Sequence, residues 1–240
     1  MEDGTLRISP SQINKFLTEP SIWVLNKFHK FYGDGAAKMW AGTAVEKGLE
    51  SILVHGLSYE DALEWAYKVF DIEALRTFDE KSPEHRAKIP AMLQQALDLI
   101  LPLEGFTAFQ TEIFGEIEGL KVKGKIDFDF TAFDLDLKTT GAMQKPENMS
   151  SEHLRQLAIY RMLRGKEQRI CYVTEKKGAI YIPTDAQYLQ AEQEIRGACR
   201  AMKTAWDLGQ DMAEKLYPPF DYSSYLWDEK LMKKAKETWR

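Results

Sequence analysis

Two adjacent runs of alternating residues dominate the middle of the chain. Between positions 120 and 130 most even positions are apolar, and between 133 and 138 the alternation returns after a short turn. A period of two is typical of a half-buried β-strand, so the runs predict a β-hairpin with one buried face. The other face would carry charged residues, which are Asp127, Asp129, Asp134, Asp136 and Lys138.

Helical patterns surround this hairpin. The patterns predict helices from Ser9, from Ile22, over 39–55, over 58–70, over 84–101, from Ser150 or Ser151 to Arg164, over 185–214 and from about Asp228. Further strands are predicted at 106–114, 169–174 and 179–182. Loops are predicted at 33–35 and 139–148. The predicted fold class is α/β, a mixed central sheet flanked by helices. We expect one compact unit with an N-terminal helical lobe (1–104), a core (105–216) and a tail with a short helix (217–240).

The composition narrows the class of protein. The 240 residues are 44% hydrophobic and 29% charged, which suits a globular protein with a full core. The net charge of −5 means that any contact with nucleic acid must come from a local patch. Cys171 and Cys199 form no C-x-x-C pair, and no apolar run approaches a membrane span. The polar residues 1–4 do not resemble a secretory signal, so we expect a cytoplasmic protein with no membrane partner.

The charged face of the hairpin could hold a divalent cation. Carboxylate oxygens are the ligands that Mg²⁺ prefers, and Asp127 and Asp136 would lie within reach of one point. A bound ion would contact a scissile phosphate and lower the pKa of a coordinated water. Lys138 would orient that water or offset developing charge. Considered alone, however, the hairpin is better explained as a strand face with solvated charges.

Four separated pieces of sequence favour the catalytic interpretation. In chain order they are Gly42-x-x-x-Glu46, Gly124-x-x-Asp127, Asp136-x-Lys138 and Gln156-x-x-x-Tyr160. Placed on a helix, two strands and a helix, they resemble the RecB-type nucleases of the PD-(D/E)XK superfamily. That group includes the RecB nuclease domain and the CRISPR-associated adaptation nucleases. The run from Ser9 and Ser11 to Trp23 also resembles the family's first helix, so the resemblance covers about residues 8–185.

The resemblance implies a restriction-endonuclease-like core and a set of residue roles. The implied catalytic residues are Asp127, Asp136, Lys138, Gln156 and Tyr160, and the implied metal ligands are Glu46, Asp127, Asp136, the Leu137 carbonyl and, with a surface role equally open, Glu112. Glu46 stands where the family usually has histidine, and a carboxylate can still ligate a hard cation. Asp129 and Asp134 lack the motif spacing, so we interpret them as supporting or solvated residues.

Nucleic-acid contacts are expected beside this site. Gln156 and Tyr160 would hold DNA phosphate, His153 shares their helical stripe, and Ser11 belongs to the first helix. Trp40, like Trp23 and Tyr160, could stack on bases, with core packing as the alternative for the tryptophans.

The resulting expectation is a Mg²⁺- or Mn²⁺-dependent DNA exonuclease. It would degrade linear, single-stranded or resected DNA in recombination, repair or phage DNA degradation. Glu19 stands where several relatives have a cysteine, so no iron-sulfur cluster is expected. A non-catalytic nucleic-acid-binding protein and a sequence-specific endonuclease are the alternatives. DNA is the expected partner, and a single-strand-binding or annealing protein and a second copy of the chain in a homo-oligomer are further candidates. The expected location is the cytoplasm of a bacterial cell, where the protein could be phage-encoded.

Overall fold

The computed structural model describes residues 6–33, 36–140, 148–224 and 226–239. Along these ranges the elements are β1 (Arg7–Ile8), α1 (Pro10–Thr18), α2 (Pro20–Phe28), α3 (Ala37–Leu53), α4 (Tyr59–Arg76), α5 (Ser82–Ile100), β2 (Phe106–Ile117), β3 (Leu120–Phe130), β4 (Phe133–Thr139), α6 (Ser151–Arg164), β5 (Glu167–Val173), β6 (Gly178–Tyr181), α7 (Asp185–Leu208), α8 (Gln210–Leu216) and α9 (Glu229–Thr238). The polar start at 1–4 and most of the loops predicted at 33–35 and 139–148 lie outside the described residues.

The strands form one mixed sheet with the order β1-β3-β4-β5-β6, and β2 pairs with β3. Neighbours run antiparallel in the pairs β2–β3, β3–β4 and β5–β6, whereas β1 is parallel to β3 and β4 is parallel to β5. The long antiparallel ladder of β2 and β3 follows from their alternating sequences. The predicted α/β class, a mixed sheet flanked by helices, is confirmed.

One edge of β3 is shared by two strands. β1 pairs with Lys121 and Val122, and β4 pairs with Phe128 and Asp129. Within the described chain, residues 123–127 have no strand partner on this edge. Their backbone groups can therefore be reached by side chains from neighbouring elements, and we call this stretch the β3 gap.

Helices cover both faces of the sheet. Leu120, Val122 and Ile126 pack in a cluster with residues of α1, α6 and α7, whereas Phe128 and Phe130 pack in a second cluster with α3, α4 and α5. The buried residues of β3 therefore meet different helices at its two ends. The predicted single buried face holds along β3 up to Ile126, whereas Asp129, Asp134 and Asp136 on the charged face of the hairpin are buried as well.

Two further differences have local causes. The strand β1 contains only two residues, too few for a detectable period. The single helix predicted over 185–214 is interrupted at Gly209, which has a left-handed φ of 84°, so α7 ends at Leu208 and α8 begins at Gln210.

The predicted domain boundaries at 104 and 216 fall between elements, but the helical lobe does not pack separately from the core. The cluster beneath α3–α5 includes strand residues such as Leu135 and Val173. Among the described helices, none combines the length and apolar character needed to cross a membrane.

Candidate functional site

Asp127 and Asp136 stand opposite each other where β3 and β4 begin to separate. The ladder pairs Phe128 with Leu135, and the next pair in the same register is Asp127 and Asp136. Asp127 Oδ2 accepts a hydrogen bond of 2.8 Å from the Leu137 backbone N–H. The Asp127 side chain thus takes a backbone donor that a continuing ladder would have used.

Asp136 is buried, with 2% of its surface exposed, and is held from two sides. Its Oδ1 accepts a hydrogen bond of 2.6 Å from Gln156 Nε2, and its Oδ2 lies 2.5 Å from Lys138 Nζ. Lys138 is two residues further along β4, so both side chains leave the same strand face. The carboxylate is therefore fixed by a neutral donor and a cation.

Helix α3 brings Glu46 to this pair. A Cβ atom on Gly42 would lie 2.9 Å from Thr139 Oγ1, so the glycine permits the close approach of α3 to the end of β4. Glu46 is half-buried, and its Oε1 accepts a hydrogen bond of 2.5 Å from Gln110 Nε2 on β2.

Helix α6 closes the site from the other side. Gln156 Nε2 also lies 3.0 Å from the Tyr160 hydroxyl, and that hydroxyl donates 2.8 Å to the Lys125 carbonyl in the β3 gap. A Cβ on Gly124 would lie 2.7 Å from Tyr160 Cε1, so a larger residue there would displace the ring. The four separated pieces of sequence therefore meet at one place.

The charges of the site do not balance. Burial, with the charge of Asp136 adding to it, raises the pKa of Asp127 well above its usual range. Burial also raises the pKa of Glu46, and Asp136 contributes there too. Burial alone would lower the pKa of Lys138, but the carboxylates of Asp136 and Asp127 outweigh it and raise that pKa. Asp127, Asp136 and Glu46 all act on Lys138, while Lys47 and Lys125 act on Glu46 more weakly, and such a group of carboxylates attracts a further cation.

The donor set fits a hard divalent cation, although its oxygens point to protein partners in this structure. Within the described ranges, no three His, Cys, Asp or Glu side chains already surround a common metal position. The buried Asp136 Oδ2, however, has no hydrogen-bond partner beyond its ion pair with Lys138. Carboxylate oxygens gathered in a buried place are the ligands that Mg²⁺ or Mn²⁺ prefers.

Two other predicted site residues, Glu112 and His153, have partners of their own. Glu112 is half exposed on β2 and forms an ion pair with Lys123, so the structure does not bring it into the group around Asp136. His153 Nδ1 lies 2.5 Å from the Tyr172 hydroxyl, and burial lowers the pKa of His153 to about 4. At neutral pH this imidazole is therefore uncharged.

A groove of about 460 Å³ runs from the β3 gap along the first turn of α1. It is lined by Ser9, Ser11, Gln12, Lys123, Lys125, Gln156 and Tyr160, among others. Ser11 Oγ lies 3.0 Å from Ser9 Oγ at this rim. The groove joins the predicted nucleic-acid contacts on α1 to those on α6.

The structure contradicts base stacking by the two tryptophans. Trp40 is 6% exposed and packs edge-on against Phe70, and Trp23 is fully buried between Phe16 and Phe28. Both rings belong to hydrophobic clusters, so a base cannot reach their faces.

Sequence reasoning missed Gln110 and underestimated Asp129 and Asp134. Gln110 has no motif around it, and only its contact with Glu46 reveals it. Asp129 and Asp134 are buried in a network with Arg164, Lys166 and Gln168 rather than solvated. The available signal was their spacing, because Asp129 lies two residues after Asp127 and Asp134 lies two residues before Asp136 on the same strand faces.

Comparison with known proteins agrees with this geometry. A family model described as the PD-(D/E)XK nuclease superfamily matches residues 7–238. No curated protein matches the chain. The “Putative exonuclease” from Eubacterium rectale has the same fold, with a TM-score of 0.62 at 14% identity over 84% of this chain and 81% of that chain. LHK-Exo in complex with dAMP gives a TM-score of 0.39 at 11% identity over 74% of this chain and 98% of that chain.

Proposed function

Since the chain belongs to the PD-(D/E)XK nuclease superfamily, we propose that it is a metal-dependent DNA exonuclease acting on linear DNA. The observation that carries the proposal is the cluster of Asp127, Asp136, Glu46 and Lys138, which Gln156 joins to the groove through its hydrogen bond to Asp136. A stable core would not need these three carboxylates together, because like charges that are buried together destabilise a fold.

The residues that would hold the cation are Asp127, Asp136 and Glu46, with the Leu137 carbonyl as a further candidate. When bound, Mg²⁺ or Mn²⁺ would polarise the scissile phosphate and lower the pKa of a water. The proposed site does not include an iron-sulfur cluster.

The protein side chains have separate tasks in this mechanism. The raised pKa of Lys138, set by Asp136 and Asp127 against the opposing effect of burial, keeps its ammonium protonated at neutral pH. In this proposal Lys138 orients the attacking water or offsets negative charge on the phosphate. Gln156 fixes the orientation of Asp136, and Tyr160 fixes the β3 gap through the Lys125 carbonyl.

The groove supports a nucleic-acid strand as the substrate. Its hydroxyl, amide and ammonium groups suit a sugar-phosphate backbone, and Arg7, Lys123 and Lys125 outnumber Glu112 among its lining residues, which gives a local excess of positive charge on an acidic protein. We extend the proposal to single-stranded or resected DNA in recombination, repair or phage DNA degradation. A single-strand-binding or annealing protein and a second copy of this chain are proposed partners.

A digestion experiment tests the proposal. End-labelled linear DNA, both single- and double-stranded, and a closed circle are incubated with Mg²⁺, Mn²⁺ or EDTA. We expect nucleotides to be released from linear DNA with either ion, an intact circle, and no reaction in EDTA. Cleavage of the circle would favour the endonuclease alternative, and binding without cleavage would favour the non-catalytic one.

Two variants exclude a contaminating nuclease. Asp136→Asn should remove the activity, whereas Asp98→Asn, an exposed carboxylate on α5, should retain it.

A further inference from the structure

Gln110 has a backbone conformation that is rare for a residue with a side chain. Its φ is 54°, in the left-handed region that favours glycine. The β2–β3 ladder pairs Phe109 with Phe128 and Thr111 with Ile126, which places Gln110 opposite Asp127. Strained backbone is often found at functional sites. We therefore interpret Gln110, which lies opposite Asp127, as a position where the direction of the side chain matters.

The side chain of Gln110 links three elements. Its Nε2 donates 2.5 Å to Glu46 Oε1 on α3, and its Oε1 accepts 3.0 Å from Lys125 Nζ on β3. Because a lysine can only donate and an ionised carboxylate can only accept, these partners fix the orientation of the amide. Lys125 also supplies the carbonyl that Tyr160 holds, so the link begins at the β3 gap.

A neutral amide suits this position better than a cation. A lysine or arginine in its place would form an ion pair with Glu46 and cancel part of its charge. The amide holds one carboxylate oxygen and leaves the charge available to a metal ion. The commoner explanation is an amide that happens to satisfy a half-buried glutamate, and that explanation gives no reason for the left-handed backbone.

We propose that Gln110 is a positioning residue that holds the Glu46 carboxylate toward Asp127 and Asp136 for binding of a divalent cation. This inference rests on the proposed function, because it requires Glu46 to be a ligand. Gln110 itself touches neither the metal nor the DNA. It acts on metal affinity through Glu46 alone.

Calorimetric titration with Mn²⁺ alone, without DNA, tests the role. Gln110→Gly removes the amide and relieves the left-handed backbone, so the fold should be retained with an equal or higher melting temperature. We expect its Mn²⁺ affinity to fall about 10-fold, since losing the orienting partner of a metal ligand costs about 10–100-fold. Gln94→Ala, which removes another amide-to-carboxylate bond on the exposed face of α5, is the matched control and should leave the affinity unchanged.

The double variant separates this inference from the proposed function. If Gln110 acts through Glu46, then Glu46→Ala combined with Gln110→Gly should bind Mn²⁺ no more weakly than Glu46→Ala alone. Unchanged affinity in Gln110→Gly, when Glu46→Ala has reduced affinity, overturns the inference and leaves the proposed function standing. Unchanged affinity in Glu46→Ala shows that Glu46 is not a ligand, and this overturns the inference together with that part of the proposed metal site.

Discussion

The hairpin of β3 and β4 carries two pairs of aspartates on the same face, and one residue pair, Phe128 and Leu135, separates them. The two aspartate pairs have opposite electrostatic environments. Asp127 and Asp136 lie at the gap, and Asp129 and Asp134 pair with each other nearer the turn. Both pairs are largely removed from solvent. The sequence of the hairpin makes them look equivalent, and only their partners distinguish them.

The pair near the turn is neutralised. Arg164 Nη2 lies 2.8 Å from Asp129 Oδ2 and 3.2 Å from Asp134 Oδ1, and Lys166 Nζ lies 2.6 Å and 3.1 Å from the same two carboxylates. Gln168 Nε2 donates 2.8 Å to Asp134 Oδ2. Burial alone would raise the pKa of Asp129, but Lys166 and Arg164 outweigh it and lower that pKa.

The pair at the gap keeps excess negative charge. Asp127 and Asp136 share one cation, Lys138, and a third carboxylate, Glu46, lies beside them, so the pKa of Asp127 moves upward where that of Asp129 moves downward. Asp129 and Asp134 contact two cations, which suits a structural role, whereas Asp127 and Asp136 share Lys138 and the Glu46 carboxylate is held by a neutral amide, which suits the binding of a cation. Charge balance among buried groups therefore distinguishes function from structure more sharply than the presence of carboxylates does.

The largest expected difference is in catalysis. Asp136→Asn keeps the shape of the side chain but removes a charge from the gap, and it should lower DNA cleavage on the order of 10³-fold, as loss of a main electrostatic group does. Asp134→Asn should retain cleavage within a few-fold per folded molecule. Rates of nucleotide release, normalised to folded protein by circular dichroism, measure both. Equal losses in the two variants would contradict the division of roles.

Stability should show the opposite order. Asp134→Asn leaves Arg164 and Lys166 with one carboxylate between them and should cost about 1–3 kcal/mol, the usual cost of a buried polar group that loses its partner. In a chain of this size 1 kcal/mol corresponds to about 2–4 °C in melting temperature. Thermal unfolding in EDTA measures the shift, and Asp98→Asn, which changes an exposed aspartate, is the control. A melting temperature equal to that of the control would show that the network contributes no stability.

Asp127 and Asp129, whose pKa values move in opposite directions, should also respond oppositely to pH. An acid with a raised folded pKa loses stability as pH rises from its unfolded pKa, about 3.9, to the folded value, whereas an acid with a depressed pKa loses stability as pH falls from about 3.9 to the folded value. In EDTA, Asp127→Asn should therefore be more stable than the wild type at pH 7. Asp129→Asn should be less stable there and should lose less stability in acid. Urea unfolding from pH 3 to pH 8 gives the free energy of unfolding of each variant. If the charged partners of the two aspartates do not matter, the curves of the two variants against pH would be parallel.

Local patterns were sufficient for much of this molecule. The alternation around Asp127 and Asp136 placed both carboxylates on one strand face, and the spacing of Gln156 and Tyr160 placed them one helical turn apart. These features depend only on the periods of strands and helices. The mixed sheet followed from the order of such elements.

The features that were not predicted depend on contacts distant in sequence. Gln110 meets Glu46 across 64 positions, and Lys166 meets Asp129 across 37, so no period relates them. Trp40 lies on a helix whose buried face was visible, yet its burial depends on Phe70 in the next helix. The pairing of β1 with β3 was not predicted either, because a strand of two residues has no detectable period.

The smallest expected effect concerns the carboxylate that unbalances the gap. Imidazole is a borderline donor that suits transition ions, whereas a carboxylate suits Mg²⁺, so Glu46→His should raise the ratio of Mn²⁺- to Mg²⁺-supported activity. We expect a change of about threefold to tenfold, equivalent to about 0.7–1.4 kcal/mol at 25 °C. Glu46→Gln removes the charge without adding a nitrogen ligand and should weaken both ions with a smaller change in ratio. Titration of both ions on the three proteins measures this, and a constant ratio with full activity would make Glu46 an ordinary helix residue and leave Asp127 and Asp136 to bind the ion without it.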